Sequence, residues 1–256
     1  MQTGAITQYI DVAQVVLYAF WVFFAGLIFY IRQEDRREGY PLENDQTGEL
    51  GPKGFPFIPD PKTFILAHGH GTVSVPNAIR DRRPIAAQKI APFAGAPLEP
   101  TGNPLADGVG PAAWAERSDR PDVTMHGDAK IVPMRAALAF HIAENDPDPR
   151  GFEMVGCDKQ IGGTVADVWV DQSEQMARYF EVTTTGGRKV LLPVTFTLVD
   201  RKRGIVYVHA LRASQFEGVP VTKHPEQVTM LEEDKICGYY GGGTLYATPQ
   251  RSEPLL

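Results

Sequence analysis

Residues 12–31 read VAQVVLYAFWVFFAGLIFYI, a run without a charge in which Gln14 is the one strongly polar side chain. As a helix the run rises about 30 Å, the thickness of a bilayer's hydrocarbon core. Its seven aromatics and four valines cover every face. No polar side is left for water, as the surface helix of a soluble domain would need. A cleaved export signal is the competing reading, and three features count against it. Residues 1–11 hold no Lys or Arg, the apolar run is too long for a signal core, and no A-x-A-like site comes after it. The stretch therefore predicts a transmembrane helix over 12–31 and a single-pass membrane protein.

The flanks set the orientation. Arg32, Arg36 and Arg37 crowd the C-terminal end, while the tail before the helix has no basic residue. Positive flanks stay in the cytoplasm, and acidic neighbours such as Glu34, Asp35 and Glu38 weigh little. The tail 1–11 is thus expected in the periplasm and the rest of the chain in the cytoplasm. Tyr30 falls at interfacial depth, where its ring is apolar and its hydroxyl wet.

Beyond the helix, residues 41–130 contain 13 of the chain's 21 prolines. Long helices are excluded there, and strands must be short or at edges. Phrases such as TFIL (63–66) and VGPAAW (109–114) are too varied for a disordered linker. We read 32–130 as an extended Pro/Gly-rich segment that becomes ordered along partner surfaces; a mobile tether is the alternative.

The texture then changes, and 131–256 is expected to be a cytoplasmic domain. Thr164–Val170 and Tyr179–Thr183 alternate as strands do. Gly186 and Gly187 break the chain before Lys189–Val199, a hairpin partner, and Gly204 turns into Ile205–His209. Closely spaced strands with glycine turns predict a small antiparallel barrel or sandwich. Thr229–Tyr246 opens on Glu232, Glu233 and Asp234, the acidic first turn of a C-terminal helix. Gly241, Gly242 and Gly243 would weaken that helix unless it packs closely against something. The fold class is a single transmembrane α-helix plus a mainly-β domain with a C-terminal helix.

Composition narrows the function. With 256 residues, 25 basic against 31 acidic, and a net charge of −6, the chain lacks the basic surface of a nucleic-acid binder. Cys157 and Cys237 fit reduced, buried thiols better than a disulfide framework. The GxSxG, GxxxxGK[ST], HExxH and GxGxxG signatures of catalysis and nucleotide binding are missing. His68 and His70, at i and i+2, would share one face of a strand, but no third ligand is near in sequence, so a metal site is not expected. His126 and Asp128 repeat that spacing in what reads as a surface turn. Asp167 is expected on a strand, with Asp171 and Glu174 in the polar turn after it. Such carboxylates carry chemistry only if something buries them, because like charge and desolvation then raise a carboxyl pKa toward neutrality.

Five phrases carry a resemblance: EDRREGYPLEN (34–44), PKTFILAHGHGTVSVP (61–76), PTGNPLADGVGPAAWAER (100–117), DVWVDQSEQMARY (167–179) and EEDKICGYYGGGTLYATPQ (232–250). In these the chain resembles the H subunit of the photosynthetic reaction centre of purple bacteria. The resemblance implies a pigment-free, non-enzymatic subunit. It would anchor by one helix and cap the cytoplasmic face of the L and M chains with a domain called the PRC barrel. It would sit in the photosynthetic inner membrane, near lipids and the light-harvesting antenna. The complex would carry bacteriochlorophyll, bacteriopheophytin, quinones and a non-haem iron, none of them bound by this chain. Light drives electrons to the second quinone, which also takes up two protons. By resemblance Glu174 and Asp171 belong to that proton path, and His126 to its entry. Family members often carry an acid two residues before this histidine and a second histidine two residues after it; here stand Thr124 and Asp128. Asp128 can still titrate and Thr124 cannot. Tyr30 and Lys62 match positions that contact a lipid head group. A membrane-tethered small barrel that binds an unrelated protein is the rival reading.

Overall fold

The computed structural model describes residues 4, 6–7, 10–44, 47, 49–51, 54–55, 57–77, 79, 81–93 and 95–252. Most of the tail expected in the periplasm lies outside the described residues. Two compact units are present: Met1–Arg80 with Phe93–Gly95, and Asp81–Pro92 with Ala96–Leu256.

In the first unit, helix α1 spans Val12–Glu34. The Asp11 carboxylate caps its start, accepting from the Gln14 amide at 2.7 Å. None of its residues is buried, so the apolar surface predicted from sequence is bare on all sides. Such a helix needs a non-aqueous surrounding, and α1 is long and apolar enough to cross a membrane. Arg37, just beyond it, donates to Glu34 at 2.7 Å and to the carbonyls of Asp60 and Val75 at 2.8 and 3.2 Å. It thereby ties the helix end to an antiparallel hairpin of β1 (Lys62–Ile65) and β2 (Thr72–Val75).

The second unit begins with a hairpin of β3 (Ala87–Lys89) and β4 (Leu98–Pro100), then a single turn, α2 (Pro104–Asp107). Among the described residues no element between 41 and 130 exceeds four residues, as its prolines dictate. One part of this segment differs from the expectation of order on partners alone. Leu105, Val109 and Ala112 are buried within the chain, against α3 (Met230–Tyr246).

The reason lies in the glycines of α3. A Cβ on Gly238 or Gly241 would sit 2.9 Å from the carbonyl oxygen of Ala112 or Pro111, and one on Gly242 would collide with Ala112 and Leu105. The glycines that weaken the helix let irregular backbone lie directly on it. Its start is a capping box, Thr229 Oγ1 accepting from the Glu232 amide and Glu232 from the Thr229 amide.

The main sheet has the order β10–β11–β6–β7–β8–β9, with β5 paired to β7. Its strands are β5 (Ile131–Pro133), β6 (Glu153–Val155), β7 (Ile161–Asp171), β8 (Met176–Thr184), β9 (Lys189–Pro193), β10 (Thr197–Asp200) and β11 (Ile205–Val208). Two features depart from the sequence reading. Lys189–Val199 is not one strand: Pro193, with no N–H to donate, ends β9. A turn at Val194–Phe196 then sends β10 to pair with β11. The sheet is also not wholly antiparallel, since β6 and β11 run parallel. Trp169, Met154, Leu192, Val206, Phe216, Ile236 and Tyr240 form the core between sheet and α3, each fully buried.

Candidate functional site

Strand β7 is longer than the alternation predicted, and its pairing with β8 shifts register at Val165/Asp167 and again at Trp169/Val170. Each shift adds a residue to one strand and re-aims the side chains beyond it. The result is a strand pair with three buried carboxyl groups: Asp167 and Asp171 on β7, and Glu181 on β8. Glu181 and Asp171 are chemically unlike.

Glu181 is saturated. It accepts from Arg135 at 2.7 Å and from Lys189 and the Trp169 indole at 3.0 Å each. Arg135 also reaches Asp167 at 3.0 Å. Burial works against the Glu181 carboxylate, but these donors outweigh it and hold its pKa below the ordinary value. The cluster is a lock that fixes β7 against β8, with both Glu181 oxygens hydrogen-bonded.

Asp171 is half open. Its Oδ1 accepts from the amides of Ser173 and Glu174, both at 2.9 Å, and so shapes the β7–β8 turn. Its Oδ2 is buried and accepts no hydrogen bond among the described residues. Lys130 is the nearest charge, its Nζ 3.5 Å from Asp171 Oδ2, 3.4 Å from Glu174 Oε1 and 3.7 Å from Asp122 Oδ2. Glu174, half exposed, opens the group to solvent. Asp171, expected in a solvated turn, is instead 1% exposed, because Ile131 of β5 pairs directly with it.

Lys130 arrives from a short hairpin. Val123 bridges Ala129, and the Lys130 amide donates to the Asp122 carbonyl at 2.8 Å. His126 and Asp128 lie at its tip, both exposed. Thr124, where the acid would stand, helps close the tip: its amide donates to the Asp128 carbonyl at 2.8 Å and its hydroxyl accepts from the His126 amide at 3.3 Å. Burial works against the Lys130 ammonium, but Asp171, Asp122 and Glu174 prevail and raise its pKa. The arrangement thus brings Asp171 and Glu174 together and sets His126 and Asp128 on the hairpin that delivers Lys130. Lys130 and Asp122 escaped the sequence reading, because only the β5–β7 register reveals what they face.

Behind this group, the Tyr179 hydroxyl donates to Glu233 of α3 at 2.6 Å. Burial raises the Glu233 pKa, against the pull of that hydrogen bond.

The remaining sequence candidates lie in the first unit. Lys62 Nζ is 3.9 Å from Glu34, one helical turn beyond Tyr30, and both Lys62 and Tyr30 are exposed. His68 and His70 do not share a strand face. They occupy the tight turn Ala67–Gly69 and its cap, His68 in a left-handed conformation (φ 54°), with ring centroids 6.4 Å apart. No group of three or more His, Cys, Asp or Glu able to hold a metal ion occurs among the described residues. Both cysteines are free; Cys157 is half-buried, and Cys237 is exposed where a buried thiol was expected.

A bare apolar helix long enough to cross a membrane, followed by a small strand-rich domain with a C-terminal helix, is the class of protein the structure defines. Comparison with family models makes that specific. Residues 4–136 match the photosynthetic reaction centre H-chain N-terminal region, and residues 142–215 match the PRC-barrel domain. The first match covers more than half of the chain, and the chain belongs to the photosynthetic reaction centre H-chain family. It is a subunit of a photosynthetic reaction centre.

Proposed function

We propose that this chain caps the L and M subunits on the cytoplasmic side and conducts protons to the secondary quinone through Asp171 and Glu174. It does so as an accessory subunit that binds no pigment itself, in a complex carrying bacteriochlorophyll, bacteriopheophytin, quinones and non-haem iron. The observation that carries the reading is the state of Asp171: a buried carboxyl with one oxygen anchored in the turn and the other, 3.5 Å from the Lys130 ammonium, accepting no hydrogen bond among the described residues. Buried polar groups are nearly always satisfied, and an exception calls for a role. An open oxygen next to the half-exposed Glu174 is suited to hand on a proton. A saturated carboxylate such as Glu181 is not. His126 and Asp128, exposed at the hairpin tip, are the entry groups of this path.

The arginine flank of α1 supports a cytoplasmic domain. Tyr30 near the end of α1 and Lys62 of β1, 3.9 Å from Glu34, are the residues that would meet a lipid head group, and antenna proteins would be further neighbours in the membrane.

The test is Glu174→Gln, which keeps size and hydrogen-bonding capacity but removes the titratable proton. Flash kinetics should show charge separation and the first quinone-to-quinone electron transfer little changed. The second, proton-coupled transfer should slow by about tenfold or more at neutral pH, the scale of losing a positioned proton donor. An added small weak acid should restore part of the rate. A parent rate across pH 6 to 9 would leave Glu174 an ordinary turn residue.

A further inference from the structure

Four strands of the main sheet each place one apolar residue in a single row. Leu198 of β10 pairs with Tyr207 of β11, Tyr207 with Val155 of β6, and Val155 with Ile161 of β7. Their chain neighbours Val206 and Met154 are fully buried in the core, so alternation turns Tyr207 and Val155 to the opposite face. There the row forms the floor of an open trough of about 650 Å³. Three strand spacings make it about 14 Å long. Leu198 and Ile161, at its two ends, are exposed.

The trough is narrow. The next row, about 7 Å along the strands, holds Asp200, Ile205 and Glu153, paired in the same way. On the other side the His209 ring stands edge-on to Tyr207, with centroids 4.6 Å apart. Width decides what can lie between them. A helix is about 10–12 Å across with its side chains, and would press on the Glu153 and Asp200 carboxylates and strip their water. An extended peptide crossing the strands would turn N–H and C=O groups onto a floor that offers apolar surface. An alkyl chain is slimmer and has no polar group to satisfy.

Charge places the other end of such a ligand. Lys159, two residues before Ile161, lines the trough and is exposed. Its turn is fixed by the Lys159 amide on the Gly156 carbonyl and the Gly156 amide on the Gln160 carbonyl, both at 2.9 Å. Among the described residues Lys159 forms no ion pair. Arg203, the other cation of the lining, is paired with Asp200 at 3.7 Å. Glu153, in the flanking row, keeps an anion off the middle of the trough.

We propose that this trough binds a single-chain anionic amphiphile, a long-chain carboxylate with its alkyl chain across β10, β11, β6 and β7 and its head group on Lys159. A membrane phospholipid is the wrong source, because its second chain would find no second apolar row. The site is independent of the proton path.

The probe is dodecanoate carrying a photoreactive diazirine on its chain, irradiated with the intact reaction centre in lipid nanodiscs and located by peptide mass spectrometry. Assembly of each variant is verified from the absorption spectrum. Saturable labelling is expected in residues 155–161 and 198–207, displaced by excess dodecanoate and not by dodecylammonium. Lys159→Glu reverses the charge under the head group and should weaken that labelling about fivefold, the upper range for an exposed ion pair. Leu198→Asp puts a carboxylate in the path of the chain and should weaken it about tenfold or more. Should the Leu198 variant fail to assemble, Lys159→Glu, in an exposed turn, carries the test. Labelling confined to α1 means partition into the bilayer alone and overturns the site. So does strand labelling that dodecylammonium displaces equally well, or that Lys159→Glu leaves unchanged. A diazirine phospholipid that labels the same strands as strongly overturns the single-chain assignment.

Discussion

Two buried carboxylates on neighbouring strands show how burial alone fails to define a site. Glu181 and Asp171 are 3% and 1% exposed, yet one has three charged or indole donors and the other an oxygen that accepts no hydrogen bond among the described residues. Glu181→Gln removes the charge its donors are arranged around. Hydrogen bonds to charged groups contribute about 1.5–3 kcal/mol, so a loss of that order is expected in the unfolding of the purified chain at pH 7. The folded pKa of Glu181 is lowered, so its stabilisation is present above the ordinary value of 4.5 and disappears as pH falls through the folded value. The difference between parent and variant should therefore close on acidification. Glu233 has the opposite sign. Its pKa is raised by burial, so its favourable state is the protonated one, present below 4.5 and lost as pH rises through the folded value. Glu233→Gln keeps a partner for Tyr179 and should make melting temperature less sensitive to pH as it rises from 4.5 through the folded value; an unchanged slope there would contradict the assignment.

Little of this was legible at the residue scale. Alternation put Asp167 on a strand, where β7 holds it, and placed Glu174 in the turn beyond. No local pattern could say that two register shifts and the pairing of Ile131 with Asp171 would bury the carboxylate at the strand's end. Such pairings join residues far apart in the chain, out of reach of any local signal.

At the scale of elements, periodicity and punctuation were good guides. The apolar run became α1, the alternating stretches became β7 and β8, and the acidic start at Glu232 became the capped first turn of α3. The failures came where one residue changes the rule, as Pro193 does in splitting the expected long strand. The glycines of α3 make a sharp test. On helix propensity alone, Gly242→Ala should stabilise by about 1 kcal/mol. Its Cβ would instead run into Ala112 and Leu105, and overpacking of this kind costs about 1–3 kcal/mol. We expect net destabilisation of about 1 kcal/mol in chemical denaturation of the purified chain. A stabilised variant would mean that Pro104–Ala113 does not lie on this face of the helix.

The whole molecule is an apolar anchor and a small β domain, neither of which specifies a partner by itself. Family membership supplies the assembly, and the arginine flank is the ground for expecting the domain in the cytoplasm. In sealed inside-out vesicles, limited proteolysis should remove the domain beyond Arg37, and right-side-out vesicles should protect it. The reverse pattern would place the domain in the periplasm and disconnect Glu174 from cytoplasmic protons. The most direct measurement of the central claim is the absorption spectrum of the detergent-solubilised complex purified through a tag on this chain. The account predicts bacteriochlorophyll and bacteriopheophytin bands, with two further, very hydrophobic chains on a gel and reversible flash-induced bleaching. A colourless preparation containing this chain alone, or with an unpigmented partner, from membranes that do hold active reaction centres would contradict it.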